Sequence, residues 1–206
     1  MKSKKVYFLF KRIFDIFFSS FGILALLPLF LLISILIKIT SKGPVFFVQK
    51  RVGKNGKLFN LYKFRTMFLN AEKMGASITS KDDKRITKIG FFLRKYKIDE
   101  FPQLFNVLKG DISFVGPRPE LQKFVEYYKN DYEEILKIKP GITDYAAIKF
   151  SNENDLIRDK ENPEAFYVEK ILPEKIKLYK KYLSEMNLIN DVKIIFLTII
   201  NILKAK

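Results

Sequence analysis

Two adjacent carboxylates, Asp99 and Glu100, stand at the head of a short predicted helix in a chain that is otherwise strongly basic. Residues of this type at this spacing can do three things. One acid can cap a helix N-terminus, where it meets unpaired N–H groups and the positive end of the dipole. The pair can hold an oxygen-ligated metal such as Mg2+. One of them can instead attack an electrophile and form a covalent intermediate. Capping needs one carboxylate and leaves its neighbour without a task. The chain has no Cys and no His, which excludes disulfides, thiolate nucleophiles, Cys/His zinc sites and imidazole acid–base catalysis. Any catalysis therefore runs on carboxylates, Lys, Tyr, Ser/Thr or an oxygen-bound metal.

Cations accompany the acidic pair. Arg94 lies about one and a half helical turns before Asp99 and can face the same pocket. Downstream, Gly110 ends the predicted helix, and Gly116-Pro-Arg-Pro119 follows it. Its prolines fix the backbone around Arg118, which suits a phosphate clamp more than a lone surface arginine. A helix N-terminus is itself an anion site.

The elements that must position these groups can be read from pattern. Residues 45–52 and 58–64 read as two strands joined by the basic turn Gly53-Lys-Asn-Gly-Lys57, a hairpin. Its ends bring Gln49, Lys50, Arg51, Lys63 and Arg65 near one another. The stretch 70–84 reads as a mobile polar loop. Residues 85–97 read as an amphipathic helix with Ile86, Ile89, Phe92, Leu93 and Tyr96 toward a core. A helix over 121–137 faces Phe124, Tyr128 and Ile135 inward, and one over 173–186 does so with Ile176, Tyr179 and Leu183. The expected fold class is α+β, mostly helical, with one small β-hairpin.

The N-terminal third is different in kind. Residues 16–37 carry no charge over 22 positions, about 33 Å of helix and enough for a bilayer core. Basic residues flank both ends: Lys2, Lys4, Lys5, Lys11 and Arg12 before, Lys38 and Lys42 after. The positive-inside rule places both flanks on the cytoplasmic side, which a single span cannot satisfy. Pro28 sits within the run and removes one backbone hydrogen bond. The expectation is a re-entrant helix-break-helix that enters one leaflet and returns, with a kinked span as the alternative. Asp15 is expected to pair with Lys11 or Arg12 on the same helix. At the other end of the chain, 188–204 carries a wide apolar stripe too short to span, read as core or interfacial. Residues 1–40 then form the membrane-embedded segment and 41–206 a catalytic region continuous with it.

The chain has a net charge of +16. From Met1 to Thr66 there are 13 basic residues against one acid, Asp15. Such a field attracts polyanions. A basic hairpin interleaved with Phe and Tyr also suits nucleic acid, so a membrane-tethered nucleic-acid-binding module is the alternative reading.

The motifs Lys63-Phe-Arg-Thr-Met67, Arg94…Asp99-Glu-Phe-Pro-Gln-Leu-Phe-Asn106, Lys109-Gly-Asp-Ile-Ser-Phe-Val-Gly-Pro-Arg-Pro-Glu120 and Lys139-Pro-Gly-Ile-Thr143 together resemble the bacterial sugar transferase family. Lys11-Arg12-x-x-Asp15 and Asp191-x-Lys-Ile-Ile195 extend the likeness to nearly the whole chain, at the length of the small monotopic members. The resemblance implies transfer of a sugar-1-phosphate from a nucleotide diphosphosugar, usually a UDP-sugar, to polyprenyl phosphate. Nucleoside monophosphate leaves, a phosphosugar–aspartate intermediate forms with Mg2+ as cofactor, and glycan assembly begins. It further implies Asp99 as nucleophile, Glu100 as its acidic partner, both at the metal, and Arg94 and Arg118 as phosphate-binding residues. Lys63, Arg65 and Arg51 join them as substrate-binding candidates. The implied partners are polyprenyl phosphate, a nucleotide-sugar and an anionic bacterial inner membrane at its cytoplasmic face, with no nucleic acid; self-association is left open. After Thr143 the chain departs from the common pattern with Asp144-Tyr-Ala-Ala-Ile-Lys-Phe-Ser151, which leaves the donor sugar open.

Overall fold

Helix α1, Lys2–Thr40, runs for 39 residues, about 58 Å at 1.5 Å per residue. The computed structural model describes residues 2–71 and 83–204, so most of the 70–84 stretch lies outside the described residues. The buried stripe of α1 is Lys11, Asp15, Ser19, Phe30, Ile33 and Ile37, at the three- and four-residue spacing of one helix face. Outward stand Leu9, Phe17, Phe21, Leu24, Leu31 and Ile39. Between Lys11 and Ser19 α1 is therefore inside out, with Lys11, Asp15 and Ser19 toward the protein.

Pro28 lies within α1, where an interruption was expected. The helix continues because proline's fixed φ is helical and its missing N–H costs a single bond. A second correction concerns Asp15. Its Oδ1 accepts from Ser113 Oγ at 3.0 Å and from the Phe114 backbone N–H at 3.1 Å, while Lys11 pairs with Asp191 at 2.5 Å. Docking to distant partners replaces the expected pairing along one helix.

Strands β1 (Phe46–Val52) and β2 (Leu58–Phe64) form the expected antiparallel hairpin, with Val52 opposite Leu58 and Gln49 opposite Leu61. Strand alternation then puts Gln49, Arg51 and Lys63 on one face and Lys50 on the other. Helix α2, Lys88–Lys95, begins later than expected because Thr87 is its N-cap, accepting from Gly90 N–H at 3.0 Å. Ile86, expected inside the helix, instead forms a β-bridge with Met67. Leu93 is buried, whereas Phe91, Phe92 and Tyr96 face outward, which corrects the core assignment of Phe92 and Tyr96.

A 3-10 turn, Ile98–Glu100, leads into α3, Gln103–Lys109. Gly110, with φ of +90°, terminates α3 in a left-handed conformation that glycine alone adopts freely. Arg12 of α1 donates to the last-turn carbonyls of Val107 at 2.6 Å and Leu108 at 2.7 Å. Helix α1 thus grips the helix that follows the acidic pair.

The sequence reading contains no counterpart to β3 (Ser113–Val115) and β4 (Gly141–Thr143), which pair in parallel. Gly141 approaches the Gly116 backbone so closely that a Cβ has no room. This ladder fixes the Pro117–Pro119 turn beside Gly141, whose N–H donates to the Pro117 carbonyl at 3.0 Å. The expected helix 121–137 is two, α4 (Gln122–Tyr127) and α5 (Lys129–Ile135), broken at Tyr128, whose backbone is non-helical. Then come α6 (Tyr145–Lys149), α7 (Glu153–Ile157), α8 (Pro163–Phe166), a π-helical turn at Tyr167–Ile171, α9 (Leu172–Glu185) and α10 (Leu188–Lys204). Phe124, Tyr132, Ile135, Ile157, Ile176 and Tyr179 form the main core. A second cluster joins Phe30, Ile33 and Ile37 of α1 to Phe64 and Leu93. The fold is α+β and mostly helical, with two small sheets.

Candidate active site

Lys97 holds a left-handed backbone, φ +57°, just before the 3-10 turn. A non-glycine residue there stores local strain, a feature that recurs at functional positions. The turn sets Asp99 and Glu100 in opposite circumstances. Glu100 Oε1 accepts from Lys63 Nζ at 2.8 Å and from Arg118 Nη2, and its Oε2 accepts from Arg118 Nη1 at 3.3 Å. Asp99 is only 7% exposed, yet among the described residues no donor lies within hydrogen-bond reach of its carboxylate.

Electrostatics separate the pair further. Burial pushes the Asp99 carboxyl above the ordinary aspartate value, and the nearby Lys63 and Arg94 cations offset only part of that. Burial acts on Glu100 in the same direction, but Arg118 and Lys63 outweigh it and hold that carboxyl well below its ordinary value. Two neighbouring titratable groups driven apart in this way mark a division of roles. Glu100 orders the cations, and Asp99 stands beside them without a hydrogen-bond partner among the described residues.

Arg118 is steadied from behind. Its backbone N–H donates to Asp144 Oδ2 at 3.0 Å. Asp144 also caps α6 through the Ala147 N–H, and burial pushes it up to about 6. Arg51, from the hairpin, donates to Gln49 Oε1 at 2.7 and 3.1 Å and to the Pro119 carbonyl at 3.2 Å, with Glu120 Oε2 at 3.7 Å. Arg94 is anchored by its Nε to Thr66 Oγ1 at 2.8 Å and adds positive potential at Asp99.

Four of the sequence-predicted site residues therefore converge on the acidic pair or its arginines: Arg51 and Lys63 from the hairpin, Arg94 from α2 and Arg118 from the Pro117–Pro119 turn. Arg65 does something else. Its guanidinium donates to the carbonyls of Lys42 at 2.6 Å and Ser41 at 2.9 Å, so it closes the C-terminal end of α1. Lys50 lies on the exposed hairpin face, and Pro28 is exposed on α1. Sequence reasoning missed Thr66 and the roles of Glu120 and Asp144. The one local signal was Asp144 followed by Tyr-Ala-Ala, an N-cap pattern.

No group of three or more potential Asp/Glu ligands occurs among the described residues. Mg2+, however, characteristically binds through one or two protein carboxylates together with substrate phosphates and water. Asp99 offers an uncommitted carboxylate and Glu100 an adjacent one, so the residues fit an ion shared with a phosphorylated substrate.

A cluster of cations around an acidic pair thus lies beside a helix that is long and apolar enough to cross a membrane. The chain belongs to the bacterial sugar transferase family, whose model matches residues 6–205. It is similar to a Bacillus subtilis (strain 168) protein provisionally named an undecaprenyl-phosphate N-acetylgalactosaminyl 1-phosphate transferase, at 50% identity over 125 residues, 61% of this chain and 70% of that one. An undecaprenyl-phosphate glucose phosphotransferase of Komagataeibacter xylinus is 38% identical over 196 residues, covering 92% of this chain and 35% of the relative. The exopolysaccharide production protein ExoY of Sinorhizobium fredii (strain NBRC 101917 / NGR234) is 35% identical over 158 residues, 69% of this chain and 70% of its own. The chain thus spans about a third of the Komagataeibacter protein and 70% of the other two.

Proposed function

We propose that this protein transfers a sugar-1-phosphate from a nucleotide diphosphosugar, in particular a UDP-sugar, to polyprenyl phosphate at a membrane surface. An Asp99 oxygen attacks the phosphorus that bears the sugar. The bond from that phosphorus to the bridging oxygen breaks, and UMP leaves with the electron pair. An oxygen of polyprenyl phosphate then attacks the same phosphorus and displaces the Asp99 carboxylate. The products are polyprenyl-diphosphate-sugar and the regenerated enzyme.

The observation that carries this reading is the contrast between a largely buried Asp99 with no hydrogen-bond partner among the described residues and a Glu100 held by Lys63 and Arg118. A carboxylate attacking a pyrophosphate meets like-charge repulsion, which Arg118, Lys63, Arg94 and Arg51 reduce by binding phosphoryl oxygens. Asp99 and Glu100 would hold Mg2+, which when bound neutralises the charge developing on the leaving phosphate. Glu100 keeps Arg118 and Lys63 at fixed positions, so little rearrangement is needed at the moment of transfer.

The re-entrant topology belongs to the same proposal. Lys11, Arg12 and Asp15 near one end of α1 and Phe30, Ile33 and Ile37 toward the other all pack on one body. A straight span would pull one of these sets away from that body. A helix kinked at Pro28 that enters and leaves one leaflet, with both basic flanks at the cytoplasmic face, keeps them together and brings the lipid phosphate to the level of the site.

The test is UMP release by the detergent-solubilised protein with Mg2+, polyprenyl phosphate and a panel of UDP-sugars. Asp99→Asn is expected to abolish release, together with the phosphosugar adduct on Asp99 seen by mass spectrometry of the wild type. Wild-type turnover in Asp99→Asn would overturn the assignment of the nucleophile.

A further inference from the structure

Below the arginines runs a line of buried polar groups that the transfer reaction does not itself use. Glu120 is 5% exposed, and its Oε1 accepts from the Tyr167 hydroxyl at 2.7 Å. That hydroxyl accepts in turn from Lys175 Nζ at 3.2 Å. Lys175 belongs to α9, is 4% exposed and pairs with Glu153 of α7. The other Glu120 oxygen faces Arg51 at 3.7 Å. A chain of five side chains thus leads from α7 and α9 to an arginine of the site.

Packing does not explain this chain. It passes through the main core, among Tyr132, Ile171, Ile176 and Tyr179, where a buried lysine and glutamate cost more than apolar residues of similar volume unless each is well paired. The same core contains an internal comparison. The Tyr132 and Tyr179 hydroxyls are buried there with no hydrogen-bond partner, whereas the Tyr167 hydroxyl has one partner on each side. Tyr167 also opens the π-helical turn, a departure from regular helix that concentrates at functional positions. Without the Tyr167 hydroxyl, Glu120 loses the donor that fixes one of its oxygens. Arg51 is then left with Gln49 and the Pro119 carbonyl.

We infer that Tyr167 is a positioning residue, holding Glu120 so that Arg51 is aimed at the diphosphate of the donor. The ligand assigned to Arg51 rests on the proposed transferase function. Tyr167→Phe keeps the ring against Phe124, at 4.9 Å between centroids, and removes only the hydroxyl. Tyr179→Phe removes an unpartnered hydroxyl from the same core and is the matched control.

In the full-length protein, Tyr167→Phe is expected to raise KM for the UDP-sugar about five- to twentyfold with kcat within twofold, as loss of donor binding alone would. Tyr179→Phe should match the wild type. In an Arg51→Lys background, adding Tyr167→Phe should change KM no further, because both act through one contact. A KM within twofold of wild type for Tyr167→Phe, or independent effects of the two substitutions, overturns the inference. A second readout needs no turnover. The 15N resonance of Arg51 Nε, assigned by its loss in Arg51→Lys, should shift in Tyr167→Phe and stay in place in Tyr179→Phe. An unmoved resonance overturns the positioning role. Absence of UMP release by the wild type with every donor counts against the transferase reading alone.

Discussion

Helices α1 and α9 obey the same 3.6-residue periodicity and point their polarity in opposite directions. In α9, Leu172, Ile176, Tyr179 and Tyr182 are buried while Lys177, Lys180 and Lys181 face out, the usual arrangement against water. In the first half of α1, Lys11, Asp15 and Ser19 are buried while Phe17, Phe18 and Phe21 face out. Every buried polar group of α1 has an assigned partner: Asp191 for Lys11, Ser113 and Phe114 for Asp15, and the Asp15 carbonyl for Ser19. A helix so arranged is at home with protein on one side and lipid on the other. Helix α10 repeats the arrangement, burying Asn190, Asp191 and Ile194 and exposing Ile189, Val192, Phe196 and Leu203.

The strongest way to break this comparison is to place charge on the two outer faces. Phe17→Asp combined with Leu24→Asp on α1 should abolish flotation with anionic vesicles, since each buried charge costs about 2.5–3.5 kcal/mol at the bilayer centre. Lys177→Asp on α9 should float as the wild type does. Retained flotation of the α1 double variant would remove the lipid assignment of that face.

A smaller effect is expected on the inner faces. Lys11→Met leaves Asp191 as an unpaired buried charge, which costs about 3–5 kcal/mol and should lower Tm clearly in a detergent-based melt. Lys181→Met on the exposed face of α9 should stay within about 0.5 kcal/mol of wild type. Equal Tm values for the two variants would mean that the polar interior of α1 contributes nothing.

Hydroxyl deletions sharpen the contrast at the place where the helices meet. Tyr182 bridges Asp191 Oδ1 at 2.8 Å and Lys11 Nζ at 3.2 Å, so Tyr182→Phe should cost about 1–2 kcal/mol. Tyr179→Phe, which breaks no hydrogen bond, should be neutral or slightly stabilising by the same melt. A reversed order of the two would contradict the hydrogen-bond assignment.

The least effect near neutral pH concerns the acidic pair between the two regions. Only ionised Asp99 can attack, and its folded carboxyl lies above the ordinary value of 3.8. Activity should therefore be complete well above that raised value and fall as pH drops through it, with an acid limb above the usual aspartate range. A pH–rate profile of kcat/KM checks this; a limb at or below 3.8 would mean that Asp99 is better solvated than its burial implies.

Much of the site could be read from sequence because the groups are chemically scarce. With no His or Cys, Asp99, Glu100 and the rigid turn around Arg118 stood out. The hairpin was legible because strand alternation and a Gly-rich turn are local signals. Other features depended on distant contacts. The β3–β4 pair joins segments of three residues each, too short for periodicity to reveal. Arg65 was read with the substrate-binding cations because charge alone does not say whether an arginine meets phosphate or the end of a helix. Phe92 and Tyr96 fit a core stripe by spacing, yet spacing alone does not say which members of a stripe the neighbouring elements cover.

Composition and pattern alone determined the available chemistry, the apolar N-terminal run, the basic hairpin and the acidic pair with its arginines. Those are properties of residue type and spacing, and they survive without any knowledge of neighbours. Tertiary structure decided that Glu100 takes Lys63 and Arg118 while Asp99 takes no hydrogen bond among the described residues, although the two acids are adjacent in sequence. It also decided that α1 turns Lys11 and Asp15 inward and Phe17, Phe18 and Phe21 outward. Lys63 and Arg118 lie 37 and 18 positions from Glu100, and periodicity states which residues share a face but not what that face will meet.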